Sequence, residues 1–207
     1  LLGLQSGCQR IRKDVLERPE TNEDYYEAVN LLKKFKIRFS LDNILNLPFD
    51  TDETIEESLK FYNELRPAMI HSFSLAYFPK AEIIDKGIKS GLLKEEDRVA
   101  INRGLFKNYI SAQLNSSGDY RKYALLFTVI PLLPGSFVNW VIRSKKRIAF
   151  VSGFPPVFLL LAKFILNIRA GTGFVFSTVF FNEWHYFKQA VYGKMFWRFA
   201  KNEPHLT

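Results

Sequence analysis

Cysteine is all but missing from this sequence: Cys8 is the only one among 207 residues. No disulfide can close within the chain, which points to a reducing, cytoplasmic compartment. Nor can three closely spaced thiolates, the usual holder of an iron–sulfur cluster, be assembled from it. Histidine is scarce as well, and His71, His185 and His205 lack the HxxxH spacing of a metal-binding helix. There is no glycine-rich phosphate loop, no Ser–His–Asp signature and no nucleic-acid motif, so no nucleic-acid partner is expected. No charged stretch precedes an apolar run at the start, so no signal peptide is expected. The chain opens inside what reads as a strand, Leu1-Leu2-Gly3-Leu4, and the expectation is a piece of a longer protein. Acidic residues nearly vanish in the second part: residues 120–207 carry 12 Lys/Arg against two Asp/Glu, whereas residues 1–119 carry 17 against 19. That asymmetry implies two regions with different partners.

What is present suits a globular α/β protein, with 47% hydrophobic and 24% charged residues. Leu1–Gln5 reads as a short strand, followed by a helix over roughly Gln9–Leu16 that Pro19 stops. Thr21 to Asp24 carries a helix-cap signature, and Tyr25, Ala28, Val29, Leu32 and Phe35 follow at helical spacing. Ile37 to Leu45 switches to a period of two, a strand whose polar face ends in Asp42. Thr51 and Asp52 open another helix, with Ile55, Leu59, Tyr62 and Leu65 on one face, and Pro67 ends it. Ala68–Tyr77 reads as a third strand. Strands alternating with helices of this length indicate βαβ units and a parallel sheet. Ligands of such sheets gather at the carboxyl ends of the strands, where Gln5, Asp42 and Tyr77 are expected.

These residues carry a resemblance. Gly3-Leu4-Gln5-Ser6-Gly7, then Arg18 before the capped helix, then Leu41-Asp42-Asn43-Ile44-Leu45-Asn46-Leu47-Pro48, then Ser72–Pro79, resemble the back half of a radical S-adenosylmethionine (SAM) barrel. The closest look is to the subgroup with a cobalamin-binding domain ahead of the barrel, and oxygen-independent coproporphyrinogen oxidase shares the order of motifs. The resemblance covers residues 1–80. It implies the last strands and helices of a partial (β/α)6 TIM-like barrel over residues 1–115, and composition marks residues 116–207 as a helical, basic and apolar region after it.

It also implies a cofactor set: SAM, a [4Fe–4S] cluster whose ligands lie outside this chain, and in the nearest subgroup cobalamin. The implied activity is generation of a 5′-deoxyadenosyl radical, for methylation or rearrangement of an apolar substrate. By the same resemblance, Gln5 with Ser6 beside it, and Arg18, hold the ribose and carboxylate side of SAM. Asp42 holds the ribose hydroxyls, and Ile44 and the backbone near Tyr77 lie by the adenine. The residue types suit those tasks: an arginine forks onto a carboxylate, and a carboxylate accepts from two vicinal hydroxyls. Where the family often has Gly-Leu-Pro this chain has Asn46-Leu47-Pro48, and Asn tolerates positive φ better than most residues. The plain readings stay open beside these: Gln5 as a helix cap, Asp42 as a hydrogen-bonded strand residue, Arg18 as a solvated helix-end cation, Ile44 as core.

Residues 82–115 read as two polar amphipathic helices with a stop at Ser90-Gly91, and Asn115 to Asp119 as a loop and boundary. Beyond it, Tyr123–Ile142 has no charge and Ile148–Leu166 has only Lys163, with Arg143-Ser144-Lys145-Lys146-Arg147 between them. A hydropathy rule flags both runs as spanning candidates, a reading that stays open, but Pro131, Pro134, Gly135, Gly153, Pro155 and Pro156 break them into pieces of about 8–12 residues, which more often pack in a core or lie in an interface. Gly171–Phe181 reads as a further apolar element, and Trp184–Phe199 is aromatic and basic. A helical cap on the barrel and a peripheral membrane surface both fit. The substrate class left open is a small molecule: lipid, isoprenoid or tetrapyrrole. The rival to an enzyme is a non-enzymatic α/β module that docks on a membrane or a partner.

Overall fold

The computed structural model describes residues 1–104 and 121–153, and single positions between 158 and 168. Three parallel strands, β1 (Leu2–Gln5), β2 (Ser40–Leu45) and β3 (Met69–Ser74), form one sheet in the order β1-β2-β3. Helices α1 (Gln9–Asp14) and α2 (Asn22–Lys34) join the first pair, and α3 (Asp52–Leu65) joins the second. This is the α/β arrangement expected of a partial barrel. The expected pieces at 171–181 and 184–199, and the boundary at 115–119, fall outside the described residues.

Local chemistry sets the helix ends. Thr21 accepts from the Asp24 amide while the Asp24 carboxylate accepts from the Thr21 amide at 2.7 Å, a reciprocal cap on α2. Thr51 and Thr54 make the same exchange at the start of α3. At the end of α2, Lys36 takes the left-handed conformation (φ 56°), its amide reaches the Lys33 carbonyl, and the Ile37 amide reaches the Leu32 carbonyl. That closing turn uses Ile37 to finish the helix. It is the reason β2 begins at Ser40 and leaves Ile37 53% exposed, against the expected start at Ile37. β2 then keeps its alternation as far as Leu45, so Asp42 lies three residues inside the strand and not at its end. β3 stops at Ser74, and Tyr77 falls three residues beyond it.

Alternation divides the sheet into two faces. Leu4, Leu41, Leu45 and Ile70 point to the helix layer, in one core with Val29, Leu59, Phe61 and Tyr62. The opposite face carries Asp42 and Ile44 of β2 beside their register partners His71 and Phe73 of β3. Gly7 lets β1's exit pass close to α3: a Cβ there would stand 2.5 Å from the Ser58 Cα and 2.8 Å from its carbonyl oxygen.

After β3 come α4 (Ile83–Lys89) and α5 (Glu95–Asn102), separated by Gly91 at φ 78°. The uncharged run then breaks as its prolines imply, into α6 (Arg121–Val129) and α7 (Gly135–Ile142), with α8 (Lys145–Ser152) following. Tyr123, Phe127, Ile130, Val141 and Ile148 share the core of the sheet. A polar clamp fixes this cap to α3. Arg66 donates to the Ile130 carbonyl at 3.1 Å and the Leu133 carbonyl at 2.7 Å, and Asn63 donates to the Gly135 carbonyl at 3.0 Å. No helix among the described residues is long and apolar enough to cross a membrane.

Candidate cofactor-binding site

The site is built where β1 leaves the sheet. Gln5, a non-glycine residue, has φ 67°, and the Ser6 amide donates to the Leu4 carbonyl across it at 2.8 Å. Such a three-residue turn costs about 1–3 kcal/mol and persists only where its surroundings enforce it. The surroundings are visible. The Ser6 hydroxyl is buried, 3.4 Å from the Ser58 hydroxyl and 3.3 Å from the Cys8 amide. The Ser6 carbonyl accepts from Arg12 at 2.7 Å. Ser6 therefore fastens the turn from below, and its hydroxyl is not presented to a ligand.

Arg12 is the residue that sequence reasoning missed. It is fully buried, donates also to Asn22 Oδ1 at 2.5 Å, and lies over the rings of Tyr25 and Phe61 at 5.0 and 5.6 Å. Burial lowers its pKa, opposed by the nearby Tyr25 and Tyr62. Arg12 looks like any cation of an amphipathic helix in the sequence, because its partners come from α2 and α3.

Gln5 and Arg18 come together. A Cβ on Gly3 would lie 3.5 Å from Arg18 Nη1 and 3.8 Å from Gln5 Nε2, so both side chains lean over the bare backbone of Gly3. Arg18 is half-buried and already engaged: Nη1 donates to the Gly3 carbonyl at 2.7 Å, and Nε and Nη2 grip the Glu20 carboxylate at 3.3 and 2.9 Å. Each partner stabilises the charge of the other, raising the Arg18 pKa and lowering that of Glu20. Tyr25 donates to the same Gly3 carbonyl at 3.2 Å.

Asp42 lies on the adjacent strand, next in sequence to Asn43, the register partner of Gln5. Its carbonyl accepts from Tyr62 at 2.7 Å, which fixes the backbone. Its half-buried carboxylate has no hydrogen-bond or ion-pair partner among the described residues. A carboxylate held on a rigid strand with free lone pairs is a ready acceptor. Two residues on, Ile44 packs against the cluster of Cys8, Ile11, Val15 and Leu47. Its neighbour Phe73 is 58% exposed and stacks on His71, centroids 6.5 Å apart. His71 and Phe73, unremarkable in sequence, join the face by register alone. The Asn46 turn survives, with φ 62°.

Tyr77 stands apart. Its ring is buried with Ile84, Leu93 and Ile101 under α4 and α5, and burial pushes its hydroxyl up to about 12. Its side chain serves that small core.

Among curated proteins, a stretch amounting to 56% of this chain is 32% identical over 129 residues to tRNA-2-methylthio-N(6)-dimethylallyladenosine synthase of Ehrlichia chaffeensis, covering 29% of that protein. The synthase of the same name from Wolbachia pipientis wMel is 35% identical over 81 residues, 38% of this chain and 18% of that protein. The one from Sulfurimonas denitrificans is 30% identical over 107 residues, 48% of this chain and 24% of that protein. These matches support the radical SAM superfamily. They support an enzyme of that superfamily, and the chain spans less than a third of the length of these relatives. No family model matches the chain, and no solved structure does. The relatives are named for a reaction on tRNA, which stands against the expectation of no nucleic-acid partner. Cobalamin and methyl transfer find no support in the matches.

The superfamily's two groups fit this chain differently. With one cysteine, buried at 1% exposure, the residues do not fit a cluster held by three thiolates. Among the described residues no group of three His, Cys, Asp or Glu is placed to hold a metal ion. The residue types of this face, the Asp42 carboxylate with no partner among the described residues, the Gln5 amide and the apolar Ile44 and Phe73, suit the chemistry of SAM better.

Proposed function

We propose that this chain binds SAM along the carboxyl side of its three-stranded sheet, as part of a radical SAM enzyme whose cluster ligands lie outside the chain. The observation that carries the proposal is the Asp42 carboxylate, fixed on β2 with no hydrogen-bond or ion-pair partner among the described residues, one residue from the register partner of the strained Gln5 turn. Asp42 accepts from the two ribose hydroxyls. Gln5, its backbone locked by Ser6 and Arg12, offers an amide that both donates and accepts. Ile44 and Phe73 wall the adenine from water, and the backbone before Tyr77 closes the rim.

Arg18 takes the amino-acid carboxylate by exchanging Glu20 for it. Glu20 is exposed, so returning it to water loses little. When bound, SAM supplies the carbon–sulfur bond that the superfamily's chemistry opens. The contribution of these residues is to hold that group in one orientation on rigid strands.

Titration calorimetry with SAM and S-adenosylhomocysteine tests the reading. Asp42→Asn keeps the shape and removes the charge, and is expected to weaken binding by about tenfold, the equivalent of one charge-assisted hydrogen bond. Unchanged affinity in Asp42→Asn and Gln5→Ala together overturns the site.

On the substrate side, the relatives' names bring tRNA in as the leading class, ahead of the lipid, isoprenoid or tetrapyrrole that the apolar region at 120–207 invites. Filter binding of tRNA to the full chain separates them: retention that added monovalent salt progressively abolishes supports tRNA, and no retention at low salt returns the choice to an apolar molecule. A cytoplasmic setting belongs to the same proposal.

A further inference from the structure

α7 and α8 carry a surface that the cofactor site does not use. α7 exposes Phe137 and Trp140, at 43% and 50%, stacked with centroids 5.6 Å apart. Directly after it come Arg143, Lys145, Lys146 and Arg147. The Arg147 guanidinium lies 4.0 Å from the centroid of the Trp140 ring, and its Nη1 donates to the Trp140 carbonyl at 2.7 Å. Arg143, Lys145 and Lys146 are exposed, and Lys145 meets the exposed Glu53 only loosely, at 3.4 Å. Further on, Leu161, Ile165 and Ile168 are 52%, 39% and 62% exposed, whereas Ala162 and Leu166 are buried at 6% and 2%. Those positions are helical, and steps of four and three place the exposed residues on one face. Leu161, Ile165 and Ile168 are thus apolar toward solvent, while Ala162 and Leu166 are apolar toward the core.

We propose that α7, the start of α8 and the outward-facing Leu161, Ile165 and Ile168 rest on an anionic lipid surface. Cations beside headgroup phosphates each contribute to binding, and an aromatic ring with a guanidinium on it suits the boundary between water and acyl chains. A polyanionic nucleic acid fits the cations and Trp140 equally well, but has no use for exposed Leu161, Ile165 and Ile168, which an interface buries. No helix among the described residues is long and apolar enough to cross a membrane, and the proposed contact lies in the plane of the surface. The proposal goes beyond the cofactor reading and does not rest on it, and its test contains no SAM.

The test uses the full chain with Trp184→Phe and Trp197→Phe, so that Trp140 alone reports. It is mixed with vesicles of phosphatidylcholine, with and without roughly one-third phosphatidylserine. Expected are co-sedimentation with the anionic vesicles, a blue shift of Trp140 emission, and weakening by salt. Lys145→Glu with Lys146→Glu, checked for intact circular dichroism, is expected to weaken partition by at least about tenfold. Leu161→Ser with Ile168→Ser, which keeps every charge, is expected to weaken it too. The proposal is overturned by absent sedimentation, by equal binding to neutral vesicles, or by binding that the charge reversals leave intact. It is overturned as well if tRNA binds this surface and vesicles do not, or if Trp140 emission is already blue-shifted without vesicles, the mark of a face covered by residues 171–207 or by a second copy.

Discussion

Replacing Gly7 with alanine probes the joint on which the candidate site depends. A Cβ at this position would stand 2.5, 2.8 and 3.0 Å from the Cα, carbonyl oxygen and carbonyl carbon of Ser58. All three are backbone atoms within α3, so no side chain can swing away. The helix must shift instead, and overpacking of this kind costs about 1–3 kcal/mol. Against it works the lower entropy of an unfolded chain with Ala in place of Gly, about 0.4–1 kcal/mol. The net expectation is a loss of about 1–2 kcal/mol, or a fall in Tm of roughly 2–4 °C per kcal/mol for a chain of this size. The shift also pulls the Ser58 hydroxyl from the Cys8 amide, 3.0 Å away, and from Ser6, the residue that holds the Gln5 turn. Urea unfolding followed by circular dichroism measures the first effect, and SAM titration the second. A midpoint equal to or above that of the parent refutes the reasoning, because an unhindered glycine-to-alanine change raises it.

Three further outcomes are expected. Asn46→Val, at φ 62°, is expected to lose about 1–2 kcal/mol in the same assay, whereas Asn46→Gly stays near the parent. Arg66→Ala removes the two donors that hold the Ile130 and Leu133 carbonyls, and is expected to cost about 2–3 kcal/mol, with hydrogen exchange rising first in α6 and α7. Burial raises the Asp50 carboxyl from the ordinary carboxylate range to about 7, against the opposing hydrogen bond that Thr54 donates at 3.0 Å. The folded state therefore holds a proton that the unfolded state has released. Stability is expected to fall as pH rises from about 4 to about 7, and Asp50→Asn to flatten that part of the profile.

Much of the fold was legible because its signals are local. Thr21 with Asp24, and Thr51 ahead of an apolar stripe, announce helix starts, and the prolines at 131 and 134 break the long uncharged run where it does break. Strand ends were harder. Ile37 alternates with Phe39 and Leu41 and reads as strand, but the left-handed Lys36 draws it into the end of α2. The same one-dimensional pattern placed Asp42 at a strand terminus, although the inward residues continue to Leu45. Of the candidate site, Gln5, Arg18 and Asp42 were named from the sequence, and the first two converge over Gly3. Ser6 and Tyr77 have side chains committed to packing, which no spacing reveals. Arg12, His71 and Phe73 gain their places from other elements: Arg12 from α2 and α3, the other two from the register of β3 against β2. Information of that kind exists only once the strands have paired.

The most direct test is to watch the backbone amides of the isotope-labelled chain by nuclear magnetic resonance while S-adenosylhomocysteine is added. Saturable shifts are expected at Gly3 to Ser6, at Asp42 to Ile44 and at His71 to Phe73, lost in Asp42→Asn. Saturable shifts confined to α4 to α8, with those three stretches silent, contradict the account.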